Sequence, residues 1–210
     1  MPRTTLFDNQ FTGSNGASVV DVAPTVGANM ASASGGWTIQ DNRAYGANNF
    51  TSSHVLATTD QSSVSNGLIT MTAKYVAAPS SGSVRCAGFM RRTNGANFIR
   101  VETTLTLLNI YEFTGGGAVD RQVCSYAVSW AVGDTNTFGM ELNGTVAKLF
   151  WNGAEVANGT ISYTTAAESA GELVSTAPAF SSTTGFHFDR MLLESLDSGA
   201  TFFRPYFITG

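Results

Sequence analysis

Two histidines, two cysteines and fifteen carboxylates carry most of the reactive chemistry in this 210-residue chain. The histidines are His54 and His187. No Gly-x-Ser-x-Gly elbow and no glycine-rich phosphate loop accompanies them, so the sequence supports no nucleophilic triad. His187 and Asp189 share one face of a strand by their spacing, but two ligands do not make a zinc site. A hydroxyl-bonded or edge histidine is the simpler reading. Glycoside hydrolysis needs two carboxyl groups about 5–5.5 or 6.5–9.5 Å apart. On a strand the closer spacing is most easily met at positions i and i+2. No Asp/Glu-x-Asp/Glu pair occurs in the chain, and the glucanase-type Glu-x-Asp-x-x-Glu pattern is missing. Glu102, Glu112 and Glu141 remain as strand-borne carboxylates for a pair assembled from distant strands. Each reads more simply as a solvated outer-face residue, and the chain is read as non-enzymatic, with no catalytic residue.

Metal and thiol chemistry is equally sparse. Calcium takes oxygen ligands that leave little linear trace. Asp120, Asp134 and Asp189 lie at or near strand ends, so the expectation is no cofactor, with a structural calcium as the alternative and no ligands assigned. Cys86 and Cys124 have no CxxC partner and no metal spacing. They read as two buried thiols, and a disulfide between them would need neighbouring strands. Carbohydrate binding uses aromatic faces and amides at a rim. Trp130, Trp151 and Tyr163, with Asn136, Asn152 and Asn158, supply those groups. Trp130 and Trp151 both sit in strands, however, where core packing is the usual role.

The elements that must position these groups are strands. Charged residues make up only 12% and hydrophobic residues 43%, and the formal net charge is −4 with just two lysines. A polyanion surface needs clustered Lys and Arg, so no nucleic-acid partner is expected. No apolar run approaches the roughly 18 residues of a membrane span, so no membrane partner is expected. Met1-Pro2-Arg3-Thr4-Thr5 leads into Leu6-Phe7-Asp8 without an apolar h-region, so no signal peptide is expected. Ser and Thr total 47, with 25 Ala, 22 Gly and 14 Asn. Gly, Thr, Ser and Asn all disfavour long helices, and the composition predicts an all-β chain.

Period-two alternation supports this. Ile69, Met71, Ala73 and Tyr75 alternate with Thr70, Thr72 and Lys74, which predicts a half-buried strand. Further strands are predicted over Phe98–Thr103, Leu105–Phe113, Arg121–Trp130 and Phe186–Leu196. Asn143-Gly144 and Asn152-Gly153 each separate apolar runs and predict type I′ turns. They imply a meander of Thr137–Leu142, Thr145–Trp151 and Ala154–Val156. One short helical turn is predicted within Thr164–Gly171. In the first 50 residues the anchors are Phe7, Phe11, Val19, Val20, Trp37, Ile39 and Tyr45. Strands at roughly ten-residue spacing suggest one two-sheet sandwich over residues 1–196. Residues 197–210 form an apolar extension, an edge strand or a docking tail, with Phe202, Phe203, Arg204, Tyr206 and Phe207 as its interface residues.

The order of motifs resembles a known family. Asp8-Asn9-Gln10-Phe11-Thr12-Gly13-Ser14, Ala23-Pro24, Val26-Gly27-Ala28-Asn29 and Gly35-Gly36-Trp37-Thr38-Ile39 open the domain. Arg85 to Phe89, the Asn94 to Phe98 turn, the Phe138 to Trp151 meander, Gly171-Glu172-Leu173 and Phe186-His187-Phe188-Asp189 follow. This order is similar to laminin-G-like, concanavalin A-like jelly-roll domains of tailed-bacteriophage virion proteins. The chain departs from the pattern at Met30 and at Phe188-Asp189-Arg190-Met191. The resemblance implies two antiparallel sheets packed face to face, and it does not fix function, because jelly rolls host lectins, glycosidases and structural shells alike. The function it implies is a virion structural protein, a capsid decoration or cement protein. Such a protein would assemble in the host cytoplasm against a major capsid or tail protein, as a homo-oligomer, with a trimer favoured. The alternative is a glycan-binding module of a short tail appendage that meets a cell-surface glycan.

Overall fold

The computed structural model describes residues 3–34, 36–46, 54–57, 64–78, 84–94, 97–115, 121–165, 168–175 and 181–196. The terminal segment with Phe202, Phe203, Arg204, Tyr206 and Phe207 lies outside them, as does Asp120. Fifteen strands run through the described residues. They are β1 (Arg3–Asn9), β2 (Ala31–Ser34), β3 (Trp37–Gln40), β4 (Arg43–Gly46), β5 (His54–Ala57), β6 (Gly67–Ala77), β7 (Val84–Asn94) and β8 (Asn97–Thr103). Next come β9 (Leu107–Phe113), β10 (Arg121–Ala127), β11 (Thr135–Asn143), β12 (Val146–Trp151), β13 (Ala154–Thr160), β14 (Glu168–Ser175) and β15 (Gly185–Leu196). One 3-10 turn, Val19–Asp21, is the sole helical element described.

The strands form two antiparallel sheets. The first has the order β13-β12-β11-β6-β15-β4-β3, with β1 also paired to β15. The second has the order β10-β9-β8-β7-β14-β5-β2. The result is a jelly-roll β-sandwich. The twelve-residue β15 organises the first sheet. One of its edges is filled by β6 along most of its length, and the other is shared by β4 near Phe188 and β1 from Met191 onward. Register shifts between Phe188 and Arg190, where the strand passes from one partner to the other.

The alternation places the core as expected. Ile69, Met71 and Ala73 are fully buried and Tyr75 nearly so, while Thr70, Thr72 and Lys74 stay partly exposed. Gly88 of β7 sits against Ile69 and Met71 of β6, so a bare backbone lets the two sheets approach here. Phe7, Phe11, Val19, Trp37 and Ile39 anchor the first segment in the same core, and Val20 and Tyr45 are half-buried. Trp37 stacks on Phe188 with centroids 6.0 Å apart. At one side the sheet edges β10 and β13 nearly touch. Any side chain at Gly159 would strike Val123, whose carbonyl oxygen lies 2.8 Å from the Cβ position.

The meander forms with one adjustment. Asn152 and Gly153 have φ of 49° and 83°, as a type I′ turn requires. The first turn is shifted by one residue: Asn143 pairs with Val146, so Gly144-Thr145 is the two-residue loop. Gly144, with φ 56°, takes the first central position alone, which is the type II′ pattern. The helical turn expected within Thr164–Gly171 is not formed over its described part. Residues 168–171 belong to β14, which is held in register by β7 on one side and β5 on the other. Two flanking ladders outweigh the intrinsic helical preference of Ala and Glu.

Candidate functional site

The polar and aromatic residues of β7, β8 and β9 gather on the outer face of the second sheet. Period-two alternation sends Ile99, Val101, Leu108 and Ile110 into the shared core. Phe98, Arg100 and Glu102 therefore face outward from β8, and Asn109, Tyr111 and Phe113 from β9. Hairpin register aligns them into cross-strand rows. Phe89, Arg100 and Tyr111 form one row, and Ala87, Glu102 and Asn109 form another. Phe98 pairs with Phe113 beside them.

The floor is aromatic. Phe98 and Phe113 stack with centroids 4.1 Å apart, and Phe89 meets Phe98 at 5.1 Å. All three are buried, and Tyr111 packs against them with part of its surface open. Arginine lies over this floor. The Arg100 guanidinium carbon is 4.8 Å from the Phe113 ring centre and 5.6 Å from that of Tyr111, and Arg92 lies 5.8 Å from Phe89. These are cation–π distances.

A carboxylate joins Arg100 to a third guanidinium, that of Arg85. Arg100 Nη2 is 3.0 Å and Arg85 Nη1 3.4 Å from Glu102 Oε2. The Glu102 side chain is 4% exposed, against 31% for Arg85 and 13% for Arg100. The carboxylate thus orients two cations whose outer surfaces reach solvent. Directly opposite Glu102 stands Asn109, which is 2% exposed. Among the described residues its side-chain carbonyl oxygen Oδ1, sealed from solvent, has no hydrogen-bond partner. A buried acceptor left unpaired costs about 1–3 kcal/mol, so Asn109 detracts from the stability of this face. Fixed charged donors beside a part-open ring are groups that recognise a hydroxyl-rich ligand.

The residues singled out from sequence are distributed differently. Trp130 is 6% exposed and belongs to the core rather than to a rim. Its Nε1–H donates to Thr103 Oγ1 at 3.0 Å, and its ring meets Trp151 and Phe186 edge-on. Trp151 is half-buried beside it. Tyr163 lies near the far end of the β8–β9 hairpin. Its N–H donates to Glu112, which pairs with Ile99, whereas Thr103 sits at the turn end. Four residues of strand, about 13 Å, separate the two ends, so the three aromatic residues do not converge. The hydroxyl of Tyr163 shares a hydrogen bond with Thr93 at 2.8 Å. Asn152 bonds Thr137 N–H and Asn136 across the turn, and Asn158 bonds Glu155.

The three carboxylates expected to be solvated are instead engaged. Glu102 is held as described. Glu112 is 2% exposed and accepts from Arg121, from Ser162 N–H and Oγ–H, and from Tyr163 N–H. Burial alone would raise its pKa; the hydrogen bonds from Arg121, Tyr163 and Ser162 outweigh this and hold it below the ordinary carboxylate value. Glu141 pairs with Arg3 at 2.7 Å on the first sheet. Glu102 faces outward from the second sheet, Glu112 points to the opposite side of that sheet, and Glu141 lies outside the first, so no two form a facing pair.

His187 and Asp189 take separate partners. His187 is 2% exposed, stacks on Tyr45, and donates from Nε2 to the Ser181 carbonyl at 2.9 Å. Asp189 pairs with Arg43. Asp134 accepts from Ala131 N–H. No cluster of three His, Cys, Asp or Glu side chains that could hold a metal occurs among the described residues. Cys86 and Cys124 lie on β7 and β10, three strands apart in one sheet, so no disulfide joins them.

Arg91 is one residue that sequence reasoning missed. It is fully buried, with φ 58°, at a register shift in β7. Its guanidinium donates to the carbonyls of Ser65, Tyr163 and Gly144 at 2.7, 2.7 and 3.0 Å. It ties three loops at the end of the sandwich to β7.

No protein-family model matches the sequence, and no curated protein is similar to it in sequence. Solved structures are similar in fold. The carbohydrate recognition domain of Emp46p, in its metal-free form, superposes with a TM-score of 0.61 at 11% identity, over 85% of this chain and 94% of that one. The catalytic domain of an endo-1,3-beta-glucanase (laminarinase) from Thermotoga petrophila gives 0.60 at 9% identity, over 93% and 99%. The carbohydrate-binding module CBM66 from Bacillus subtilis gives 0.54 at 10% identity, over 79% and 91%. At such identities the likeness is one of fold: the chain has the concanavalin A-like jelly roll that lectins, carbohydrate-binding modules and glycosidases share.

Proposed function

We propose that the protein binds a carbohydrate on the outer face of its second sheet. The observation that carries this reading is the pair of guanidiniums, Arg85 and Arg100, that the Glu102 carboxylate aims above the aromatic floor beside the part-open ring of Tyr111. A sugar hydroxyl accepts from the outward-facing guanidiniums, while a ring lies against the open part of Tyr111. The carbohydrate-recognising neighbours support this use of the fold, and it is the glycan-binding expectation, not capsid decoration, that the site supports.

The reading is binding without hydrolysis. Glu102 is occupied by two guanidiniums, Glu112 points to the opposite side of its sheet and Glu141 lies on the other sheet; Glu172, in register with Ala87 and so in the Glu102 row, is the further carboxylate whose part the hydrolysis assay decides. The test is a glycan array probed with the labelled protein, followed by calorimetric titration of the best saccharide. Saturable binding that Arg100→Ala weakens at least tenfold is expected. Absence of any bound glycan, or equal affinity in the variant, overturns the proposal. Release of reducing ends from the bound saccharide overturns its non-hydrolytic part.

A further inference from the structure

The first sheet buries a histidine on its outer side. Phe186 and Phe188 of β15 point into the shared core, so His187 between them faces outward. Its cross-strand neighbours are Lys74 of β6, by register, and Tyr45 of β4, on whose ring the imidazole stacks with centroids 5.1 Å apart. Both neighbours are half-buried, yet His187 is only 2% exposed. Its cover is the turn formed by residues 181–184. The Ser181 carbonyl closes this turn by accepting Thr184 N–H at 3.4 Å, and the same oxygen accepts His187 Nε2–H at 2.9 Å. Ser181 Oγ adds bonds to Thr183 N–H at 3.2 Å and to Thr184 Oγ1 at 2.9 Å. Gly185, at φ 81°, joins the turn to the rest of β15 in a conformation that favours glycine. One carbonyl therefore ties a small hydroxyl cap to a buried titratable ring.

We propose that the turn at 181–184 is a pH-sensitive cap, closed over neutral His187 and released when the imidazole takes up a proton. Protonation places a cation where water does not reach it. The charges around the ring give that cation little support. Arg43 of β4 and Lys74 of β6 are positive, and Asp189 of β15 is already paired with Arg43. Asp41, between β3 and β4, is the other carboxylate that acts on the ring, and it already accepts from Gln40 and Asn15. Tyr45 contributes its ring face. Burial is the chief influence and pushes the His187 pKa below the ordinary value; Arg43 acts in the same direction, and the Ser181 and Thr184 backbone and Asp41 recover only part. Release of the cap is the least costly relief. β15 is held by β6 and β4 on its two sides, whereas the cap is closed by a few bonds among partly exposed residues. Because the folded pKa is lowered, the closed cap keeps its full stability above the ordinary value of about 6.5 and loses it progressively as pH falls below that value.

The test is an NMR pH titration of the full chain from about pH 8 to about pH 5, following the His187 ring protons and the amides of Thr183, Thr184 and Gly185. His187 is expected to titrate below about 6.5, and the cap amides to move at the same midpoint. Hydrogen exchange at Thr184, corrected for the intrinsic rate, is expected to be severalfold faster below that midpoint than above it. His187→Gln, which keeps a donor for the Ser181 carbonyl and does not titrate, is expected to hold the cap closed across the whole range. The proposal is overturned if His187 titrates at or above its ordinary value, or if the cap amides do not follow its midpoint. The same acid opening in His187→Gln also overturns it, because the change then belongs to Asp41 or Asp189. If that variant does not fold, agreement or disagreement of the two midpoints in the wild type decides alone.

Discussion

Replacing Glu112 with alanine is expected to destabilise the protein by about 3 kcal/mol through loss of hydrogen bonds to a buried charge. The carboxylate accepts Ser162 N–H at 2.7 Å, Ser162 Oγ–H at 2.9 Å and Tyr163 N–H at 2.6 Å, and it also holds Arg121. Hydrogen bonds to a charged group contribute roughly 1.5–3 kcal/mol each when buried, and less at a partly open edge. Ser162 is exposed and Tyr163 half-buried, so the two backbone N–H groups recover part of the loss from water. The Arg121 side chain is 53% exposed, and that pair therefore adds little. For a domain of this size 3 kcal/mol corresponds to a fall in Tm of roughly 6–12 °C. The loss has a pH signature. The folded pKa is lowered, so the stabilisation is complete above the unfolded value of about 4.3 and fades as pH falls through the folded one. Urea unfolding at pH 7 and at a series of acid values measures both effects. The gap between wild type and Glu112→Ala should be constant from neutral pH down to about pH 5 and narrow below it. A loss under about 1 kcal/mol at pH 7, or a gap that widens in acid, refutes the reasoning.

Other outcomes follow from the same geometry. Trp130→Ala is expected to cost about 3–5 kcal/mol by emptying a core position, with the glycan affinity of the folded fraction unchanged; a selective loss of affinity would return Trp130 to the binding site. Arg91→Met should lower stability by about 3 kcal/mol or more, because three carbonyls lose their donor, and urea midpoints measure it. Gly153→Ala, at φ 83°, should cost about 1 kcal/mol, whereas Gly13→Ala, whose added methyl meets only Val22 and Ile39 side chains at 3.3 Å and beyond, should cost less. Burial raises the Cys124 thiol to about 11, so its alkylation at pH 8 should be far slower than that of a free thiol, and intact mass should show both cysteines reduced.

The sandwich was legible because alternation is a local property. Ile69 to Tyr75 declares its buried face residue by residue, and Asn152-Gly153 declares its turn through the φ > 0 that both residues adopt. Where two choices differ by one residue, locality fails: Asn143-Gly144 satisfies the same rule, yet pairing of Asn143 with Val146 moves the loop onward. Residues 168–171 show the same limit, since the ladders that make them a strand come from β5 and β7, more than 70 positions away in sequence. The candidate site was not legible. Arg85, Arg100, Glu102 and Asn109 come from three strands, and only the register of β7, β8 and β9 makes them neighbours. One trace existed in Arg100 and Glu102, where charge alternates with Ile99 and Val101 and marks an outer face. Beneath the Arg85 and Arg100 guanidiniums the Glu102 side chain is only 4% exposed, against the expectation of a solvated carboxylate.

The most direct test of glycan recognition pairs stability with affinity in Arg85→Met. The substitution keeps much of the side-chain length and removes a partly exposed guanidinium, while Arg100 still holds Glu102 at 3.0 Å. Thermal unfolding and saccharide titration on the same sample should therefore diverge: Tm little changed, because a partly exposed ion pair contributes little, and affinity lowered at least tenfold, because the sugar hydroxyl loses a charged donor. Unchanged affinity in a variant of unchanged stability would contradict the account.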